Sequence, residues 1–334
     1  MMTNKPNMTA REMADYLLAH DRFLVLTHRR PDGDTVGSAA ALLQGLRSLG
    51  KEAYCLQNPD LTHRYGQYVE AFYAPEGYEP GCIVAVDIAA PGLLTENARV
   101  YAGRIDACID HHGTNEEFAA NICVHPDCAA NGELIYQILC LMGAEITPEM
   151  ADVLYIAIST DTGAFCYSNT SAQTHRIVAD LIDRGCHMAQ LNKKLFETMS
   201  RASANLKGAV YGGMQYYAGG AVALAAVTNE VIAKAGARDD DMEAVSAWAR
   251  RVKGVVIGLT LTERPEGIKV SVRTEEPVDA ARIAREFGGG GHPRAAGCTI
   301  PGTMEEACKA LLGAVMHLEE ELAWTSEERE ALSL

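Results

Sequence analysis

Basic residues are scarce in this 334-residue chain: 29 Lys and Arg stand against 44 Asp and Glu, a formal charge of −15. A surface of that sign is a poor match for long nucleic acid, because Lys and Arg contacts to phosphate supply most non-specific affinity. Aromatic residues make up only 6%, too few to build the stacking track of an exonuclease that works on long single strands. A short phosphorylated substrate is not excluded, provided its site is locally cationic. No apolar run reaches the roughly 18–20 residues that span a bilayer, so no membrane association is expected. Met1 to Met8 lack the apolar core of a secretory signal, which makes the cytoplasm the expected location. Cysteine is present ten times, yet never as Cys-x-x-Cys, which argues against a zinc ribbon or a thioredoxin-type redox site. Cys82 and Cys108 lie in apolar, strand-like runs, where a reduced thiol acts as a small hydrophobe, and buried, reduced cysteines are the expectation throughout.

What is present is a globular composition, 48% hydrophobic and 22% charged, with length enough for two domains. Phe23-Leu24-Val25-Leu26 is a β-rich run that ends in His28-Arg29-Arg30-Pro31-Asp32-Gly33-Asp34. A helix rich in small residues follows, Thr35 to Leu49, whose Gly37 to Ala41 stretch permits close approach to a sheet. Ala53 to Leu56 reads as a short second strand. Cys82 to Val86 is a near-continuous apolar run closed by Asp87, and Ile105 to Ile109 repeats the pattern before Asp110-His111-His112. Such runs are the mark of strands buried on both faces. Helical periodicity covers Thr9–His20, Ala129–Met142, Pro148–Ile158, Gln173–Arg184 and His187–Met199. Strands alternating with helices predict an α/β domain with a parallel sheet over residues 1–200. A polar, small-residue stretch, 201–212, reads as a linker and hinge. Residues 213–334 then form a smaller α+β domain with its helices laid on one face of the strands, and a cleft is expected between the two domains. It comprises a hairpin over Gly213–Thr228, strands Val255–Leu261 and Ile268–Arg273, and helices Asp240–Val252, Val278–Phe287 and Glu305–Leu322.

Acidic and His residues recur where strands or helices end: His28, Asp32, Asp34, Asp87, Asp110, His111, His112 and Asp161. Each alone has a plain explanation, such as Asp34 capping the helix after it. Packed together, these groups are costly unless a cation neutralises them. Oxygen ligands with a few imidazoles and no Cys suit Mn²⁺ or Mg²⁺ better than structural zinc. Two ions about 3.5–4 Å apart, sharing one carboxylate, would use this many ligands, and such pairs serve phosphoryl hydrolysis.

The segments His28-x-x-Pro31-Asp32-Gly33-Asp34, Asp87, Asp110-His111-His112 and Asp161-Thr162-Gly163 resemble, in order, the four motifs of the DHH phosphoesterase family. Gly288 to His292 with Ala295-Ala296-Gly297 is similar to the glycine-rich signature of the family's associated C-terminal domain. The resemblance implies two divalent cations, Mn²⁺ favoured over Mg²⁺. His28, Asp32 and Asp87 would surround one; Asp34, Asp87, His111 and Asp161 would hold the other, with Asp87 as the bridge. It further implies that Asp87 and His112 are catalytic, His112 facing the scissile phosphate, and that Asp110 orients a His ring.

Four consecutive glycines let backbone N–H groups approach an anion closely, and His292 and Arg294 adjoin them while Arg273 ends a strand. The family's nucleotide-handling members have a similar glycine–His segment and strand arginine that grip the substrate's terminal phosphate and base, so the resemblance implies that Ser271, Arg273, Gly289, Gly290, Gly291, His292 and Arg294 bind substrate. The family likeness implies hydrolysis of very short oligoribonucleotides to mononucleotides and removal of the 3′-phosphate of pAp. The acidic balance argues against long duplex nucleic acid as a partner, and a homodimer is a possible assembly. A linear or cyclic di-adenylate phosphodiesterase is the nearest alternative, and a pyrophosphatase or exopolyphosphatase a more distant one. A non-catalytic nucleotide-binding regulator would not need every ligand retained.

Overall fold

The computed structural model describes residues 6–242 and 245–316. The chain divides into two compact units, Met1–Thr198 and Met199–Leu334. In the first, five strands form one parallel sheet: β1 Phe23–Leu26, β2 Ala53–Cys55, β3 Cys82–Val86, β4 Ala107–Asp110 and β5 Asn121–Val124. Their order is β2-β1-β3-β4-β5, and Phe23 lies opposite both Ala53 and Cys82. The direction of winding therefore reverses between β1 and β3. The carboxyl ends at such a switch point are where open α/β sheets bind ligands, and His28 and Asp87 directly follow these two strands.

Helices α1 (Ala10–Ala19), α2 (Gly33–Ser48), α4 (Asn131–Met142) and α5 (Pro148–Asp161) cover one face of the sheet; α3 is the single turn His63–Gly66. Met13, Leu17, Leu43, Leu139 and Leu154 meet there in a single core. The opposite face is covered differently from the expected helix layer. Leu24, Leu26, Ile83 and Ala85 pack with Leu94 and Ala98, which belong to or border short 3₁₀ turns at Pro91–Leu93 and Glu96–Tyr101. Helices α6 (Ala172–Asp183) and α7 (Met188–Asn192) complete the unit, α7 running on into a π-helical turn at Lys193–Glu197.

The small residues of α2 serve a contact other than the one read from sequence. Two of them press against α5: a Cβ on Gly37 would stand 2.3 Å from the Val153 carbonyl oxygen, and one on Gly33 2.4 Å from Thr160 Oγ1. The Val153 carbonyl is backbone and cannot swing aside. Gly37→Ala is expected to destabilise the unit by about 1–3 kcal/mol, the usual cost of overpacking, read as a lower urea midpoint with an unchanged m-value.

In the second unit the expected linker proves to be secondary structure. Residues 201–212 form helix α8, Arg201–Gly212, capped by Ser200 and burying Leu206 and Val210. So few apolar residues, set among Ser, Ala and Gly, made the segment read as linker. Next come β6 Gln215–Tyr217, β7 Val222–Val227, α9 Asn229–Ala235, α10 Val245–Trp248, β8 Ile257–Arg264 and β9 Gly267–Thr274. The unit ends with α11 Ala280–Arg285, β10 Gly290–His292, β11 Ala295–Ile300 and α12 Met304–Met316. Residues 317–322 of the helix expected to reach Leu322 lie outside the described residues, as do 243 and 244 of the one expected from Asp240.

The six strands are ordered β10-β11-β9-β8-β7-β6, and β7 and β8 are the parallel pair. Helices pack on both faces, not one as expected. Val270, Val272, Leu259 and Leu261 face α11 and α12. On the other side Ala223, Ala225 and Val227 are covered by Leu206, Val210 and Trp248. All ten cysteines are free, and Cys140 and Cys166 are exposed where burial was the expectation. Among the described residues, no helix is long and apolar enough to cross a membrane.

Candidate metal centre

His28 emerges just past β1. Its Nδ1 lies 2.8 Å from the Arg29 carbonyl oxygen, leaving Nε2 directed inward, 3.7 Å from Asp32 Oδ1 and 3.8 Å from Asp87 Oδ2. Asp32, not Asp34, caps α2: its Oδ1 accepts from the N–H groups of Asp34 and Thr35, both at 3.1 Å. Asp34 sits in the first turn, 1% exposed, and its carboxylate is turned onto the start of α4. It accepts from the Asn131 N–H at 2.6 Å, the Gly132 N–H at 2.9 Å and Ser38 Oγ at 3.0 Å. Two orphan donors of a helix N-terminus thus fix the orientation of one carboxylate.

Asp87 follows β3 in the left-handed region, φ 58°, a conformation that Asp tolerates better than most residues but that is still uncommon. Its two oxygens face different imidazoles. Oδ2 looks to His28, while Oδ1 lies 3.6 Å from His111 Nε2. Oδ1 is buried without any hydrogen-bond partner, although such groups are nearly always satisfied. His111 Nδ1 is 3.2 Å from the Cys128 carbonyl oxygen; its Nε2 stands 3.5 Å from both Asp34 Oδ2 and Asp161 Oδ2. Asp161 is the last residue of α5, where the helix dipole opposes a further negative charge.

Separations of 3.5–3.8 Å are too long for hydrogen bonds. They are the spacing of donors around one ion held about 2.1 Å from each. His28, Asp32 and Asp87 form one such group, and Asp34, His111 and Asp161 another. With the orphaned Asp87 oxygen between them, the residues fit divalent cations.

The electrostatics agree. Burial, then the charges of Asp161 and Asp32, pushes Asp34 well above the ordinary carboxylate range. Burial, then Asp34 and Asp32, does the same to Asp87. Burial likewise lifts Asp161, against the pull of His111. For His28, burial pulls downward, but the neighbouring Asp32 carboxylate carries the imidazole above its usual value. Without a cation, such carboxylates resist ionising together; bound ions reverse that preference.

His112 is set apart. Its Nδ1 donates to Asp110 Oδ1 at 2.8 Å, a bond that raises the imidazole above its usual value. Burial raises Asp110, but the same bond to His112 outweighs it and holds the carboxyl low. Asp110 is fully buried, and its other oxygen accepts from Asn115 Nδ2 at 2.6 Å. His112 Nδ1 also lies 3.5 Å from Asp87 Oδ1, but with that nitrogen committed to Asp110 only Nε2 is left to act, on a side chain 45% exposed. Sequence reading overlooked Asn115, Asn58 and the α4 backbone donors, because nothing in the local pattern marks a polar residue that supports a ligand from another segment.

In the second unit, Ser271, Arg273 and His292 share one sheet face. Arg273 is opposite Ala295, and Ala295 opposite His292; Ser271 is two residues before Arg273 on the same strand. Arg273 donates to Ser246 Oγ at 3.3 Å and to the Val272 carbonyl at 3.1 Å. Arg294 occupies the turn between β10 and β11 and is exposed. Half of the glycine run, Gly290 and Gly291, is strand, and two of its members are explained by packing. A Cβ on Gly289 would meet the Gly297 carbonyl oxygen at 2.2 Å, and one on Gly291, φ 143°, would meet that of Ala295 at 2.6 Å. Gly290 opens onto free space.

Sheet order, motif positions and acidic centre together define a class, and the chain belongs to the DHH family. Residues 22–158 match the DHH family, N-terminal domain, and residues 228–318 match the DHHA1 domain. Among individual proteins it is similar to the bifunctional oligoribonuclease and PAP phosphatase NrnA of Thermus thermophilus, at 35% identity over 87% of this chain and 88% of that one. The protein of the same name from Bacillus subtilis is 26% identical over 86% and 92%. A crystal structure of an exopolyphosphatase-related protein from Bacteroides fragilis superposes with a TM-score of 0.84, at 28% identity over 94% and 97% of the two chains.

Proposed function

We infer that this chain is a phosphoesterase that cuts very short oligoribonucleotides to mononucleotides and removes the 3′-phosphate of pAp, using two divalent ions, Mn²⁺ in preference to Mg²⁺. The observation that carries the metal-dependent reading is Asp87, one carboxylate with its two oxygens turned to two separate ligand groups. The substrate reading rests on the names carried by the relatives of matching length. His28, Asp32, Asp34, Asp87, His111 and Asp161 would hold the ions, whose chemistry when bound would be a nucleophilic water near neutral pH and neutralisation of charge on the phosphoryl oxygens. The residues do the rest. Asp34 and His111 are held rigid by α4 and the Cys128 carbonyl, and Asp110 holds His112 with Nε2 toward the substrate. Charge developing on the phosphate meets an imidazole already oriented, without reorganisation at the moment of reaction. Ser271, Arg273 and His292 grip the nucleotide's other phosphate and its base, with Arg294 at their edge and Gly290 leaving room for close approach.

One experiment tests both halves. The protein is stripped with a chelator and assayed with and without Mn²⁺ on pAp, pApA, pGpG, cyclic di-AMP, a ten-nucleotide RNA and pyrophosphate. Mn²⁺ restores activity, and pAp and the linear dinucleotides turn over fastest; faster hydrolysis of cyclic di-AMP or pyrophosphate would transfer the assignment to that substrate. In the same assay Arg273→Ala loses a charge-assisted contact of about 1.5–3 kcal/mol. Its kcat/KM on pAp falls roughly ten- to a hundredfold, while bis-p-nitrophenyl phosphate, which offers no nucleotide, changes far less. Equal losses on both would place Arg273 in the chemistry itself.

A further inference from the structure

The two ligand groups are built unequally. Asp34 is anchored by two backbone N–H groups and Ser38. His28 and Asp32, by contrast, lie on a loop beyond the last β1–β2 pair, Val25 with Cys55, and the Asp32 side chain is 59% exposed. Something must hold that loop where the ladder stops. On one side the Arg29 N–H donates to the Leu93 carbonyl at 2.8 Å. On the other, the partner is the side chain of Asn58, 7% exposed. Its Nδ2 donates to the His28 carbonyl at 2.8 Å and to Thr27 Oγ1 at 2.9 Å, and its Oδ1 accepts the Asp60 N–H at 2.9 Å. Asp60 Oδ2 in turn accepts the N–H of Arg30 at 3.2 Å, a residue in the left-handed region at φ 54°. The preceding residue is braced too: the Gln57 carbonyl accepts from Asn97 Nδ2 at 2.7 Å, and Asn97 Oδ1 from Thr95 Oγ1 at 2.7 Å.

An amide side chain therefore takes over where the sheet's own hydrogen bonds end, and every polar atom it offers is used. We propose that Asn58 is a positioning residue for the His28–Asp32–Asp87 ion site: it fixes the backbone from which His28 projects and so sets that ion's affinity, while the Asp34–His111–Asp161 site is independent of it. This rests on the two-ion reading above. Residues that orient metal ligands from behind typically change affinity 10–100-fold when lost. Asn58→Asp is the informative variant, since it keeps the shape and the acceptor for the Asp60 N–H but replaces both donors by an oxygen facing the His28 carbonyl. Asn58→Ala removes all three bonds.

Mn²⁺ binding to the stripped wild type and both variants is followed by calorimetry, with bound ions counted independently by elemental analysis after gel filtration. Wild type takes two ions. Each variant is expected to retain one site at wild-type affinity and to lose tenfold or more at the other. The concentration of Mn²⁺ needed for half-maximal turnover should rise by the same factor. Thermal melts of the metal-free proteins identify a general loss of structure, which would lower the melting temperature and weaken both sites together; that result overturns the proposal. Two ions bound with unchanged affinities in both variants would overturn the role of Asn58 alone. A wild type that binds a single ion would overturn the two-ion centre, and the site assignment with it.

Discussion

Asp87→Asn should abolish hydrolysis of every phosphate ester the protein accepts and leave no more than one ion bound. The substitution is close to isosteric, and Asn also tolerates the left-handed backbone at this position (φ 58°), so the change isolates charge from shape. Both oxygens of Asp87 have work to do: one faces His28, the other lies between His111 and His112 and has no hydrogen-bond partner. An amide cannot offer two anionic oxygens, and its NH₂ group would point at a cation. Ions placed this way contribute several kcal/mol of transition-state stabilisation, and every 1.36 kcal/mol is a factor of ten. The loss of kcat is therefore about 10³-fold or more, on pAp and on bis-p-nitrophenyl phosphate alike. Metal analysis beside the rate assay checks the reasoning. Two ions and full activity in the variant would end the assignment of Asp87 as the bridge.

His112→Ala should fail in another way, with its ions in place and its turnover gone. The argument is one of valence. His112 Nδ1 is spent on Asp110, whereas His111 spends Nδ1 on a backbone carbonyl and directs Nε2 at three carboxylates. Neighbouring imidazoles are thus given different tasks by the acceptors behind them. Removing positioned acid–base or electrostatic help costs about 10²–10⁴-fold, so kcat should fall into that range while Mn²⁺ stoichiometry stays at the wild-type value. His111→Ala, measured alongside, should lose metal. If His112→Ala lost as much, the division of labour between the two rings would be wrong.

The candidate site was legible in sequence because the residues grouped in it close strands and helices, and apolar runs that stop at a carboxylate or imidazole stand out. Asp87 after Cys82–Val86 and Asp110-His111-His112 after β4 are of this kind. What escaped notice lacks such contrast. Strand β5, Asn121–Val124, is four residues at a sheet edge, and β11 opens with Ala295-Ala296-Gly297-Cys298, leaving only Thr299 and Ile300 of the branched side chains that announce a strand. Helix α9 is only seven residues long, too short for a periodic signal. Helix α8 buries two side chains and otherwise reads as polar filler. Asn58 is unreadable for a deeper reason: between Gln57 and Pro59 it has the look of a turn residue, and the two groups it donates to lie 30 and 31 positions away.

The glycine run of the second unit separates into positions that can be altered and positions that cannot. Gly289 and Gly291 are closed to any side chain by the strand beside them, while Gly290, between them, faces open space on the side of the sheet shared with Ser271 and His292. An engineer who wishes to attach a reporter dye through an introduced thiol has an address there. A residue of graded size at 290 would fill the open space on that face step by step and leave the packing of β10 on β11 undisturbed. A motif that looks uniform in the sequence thus offers one adjustable position held between two fixed ones.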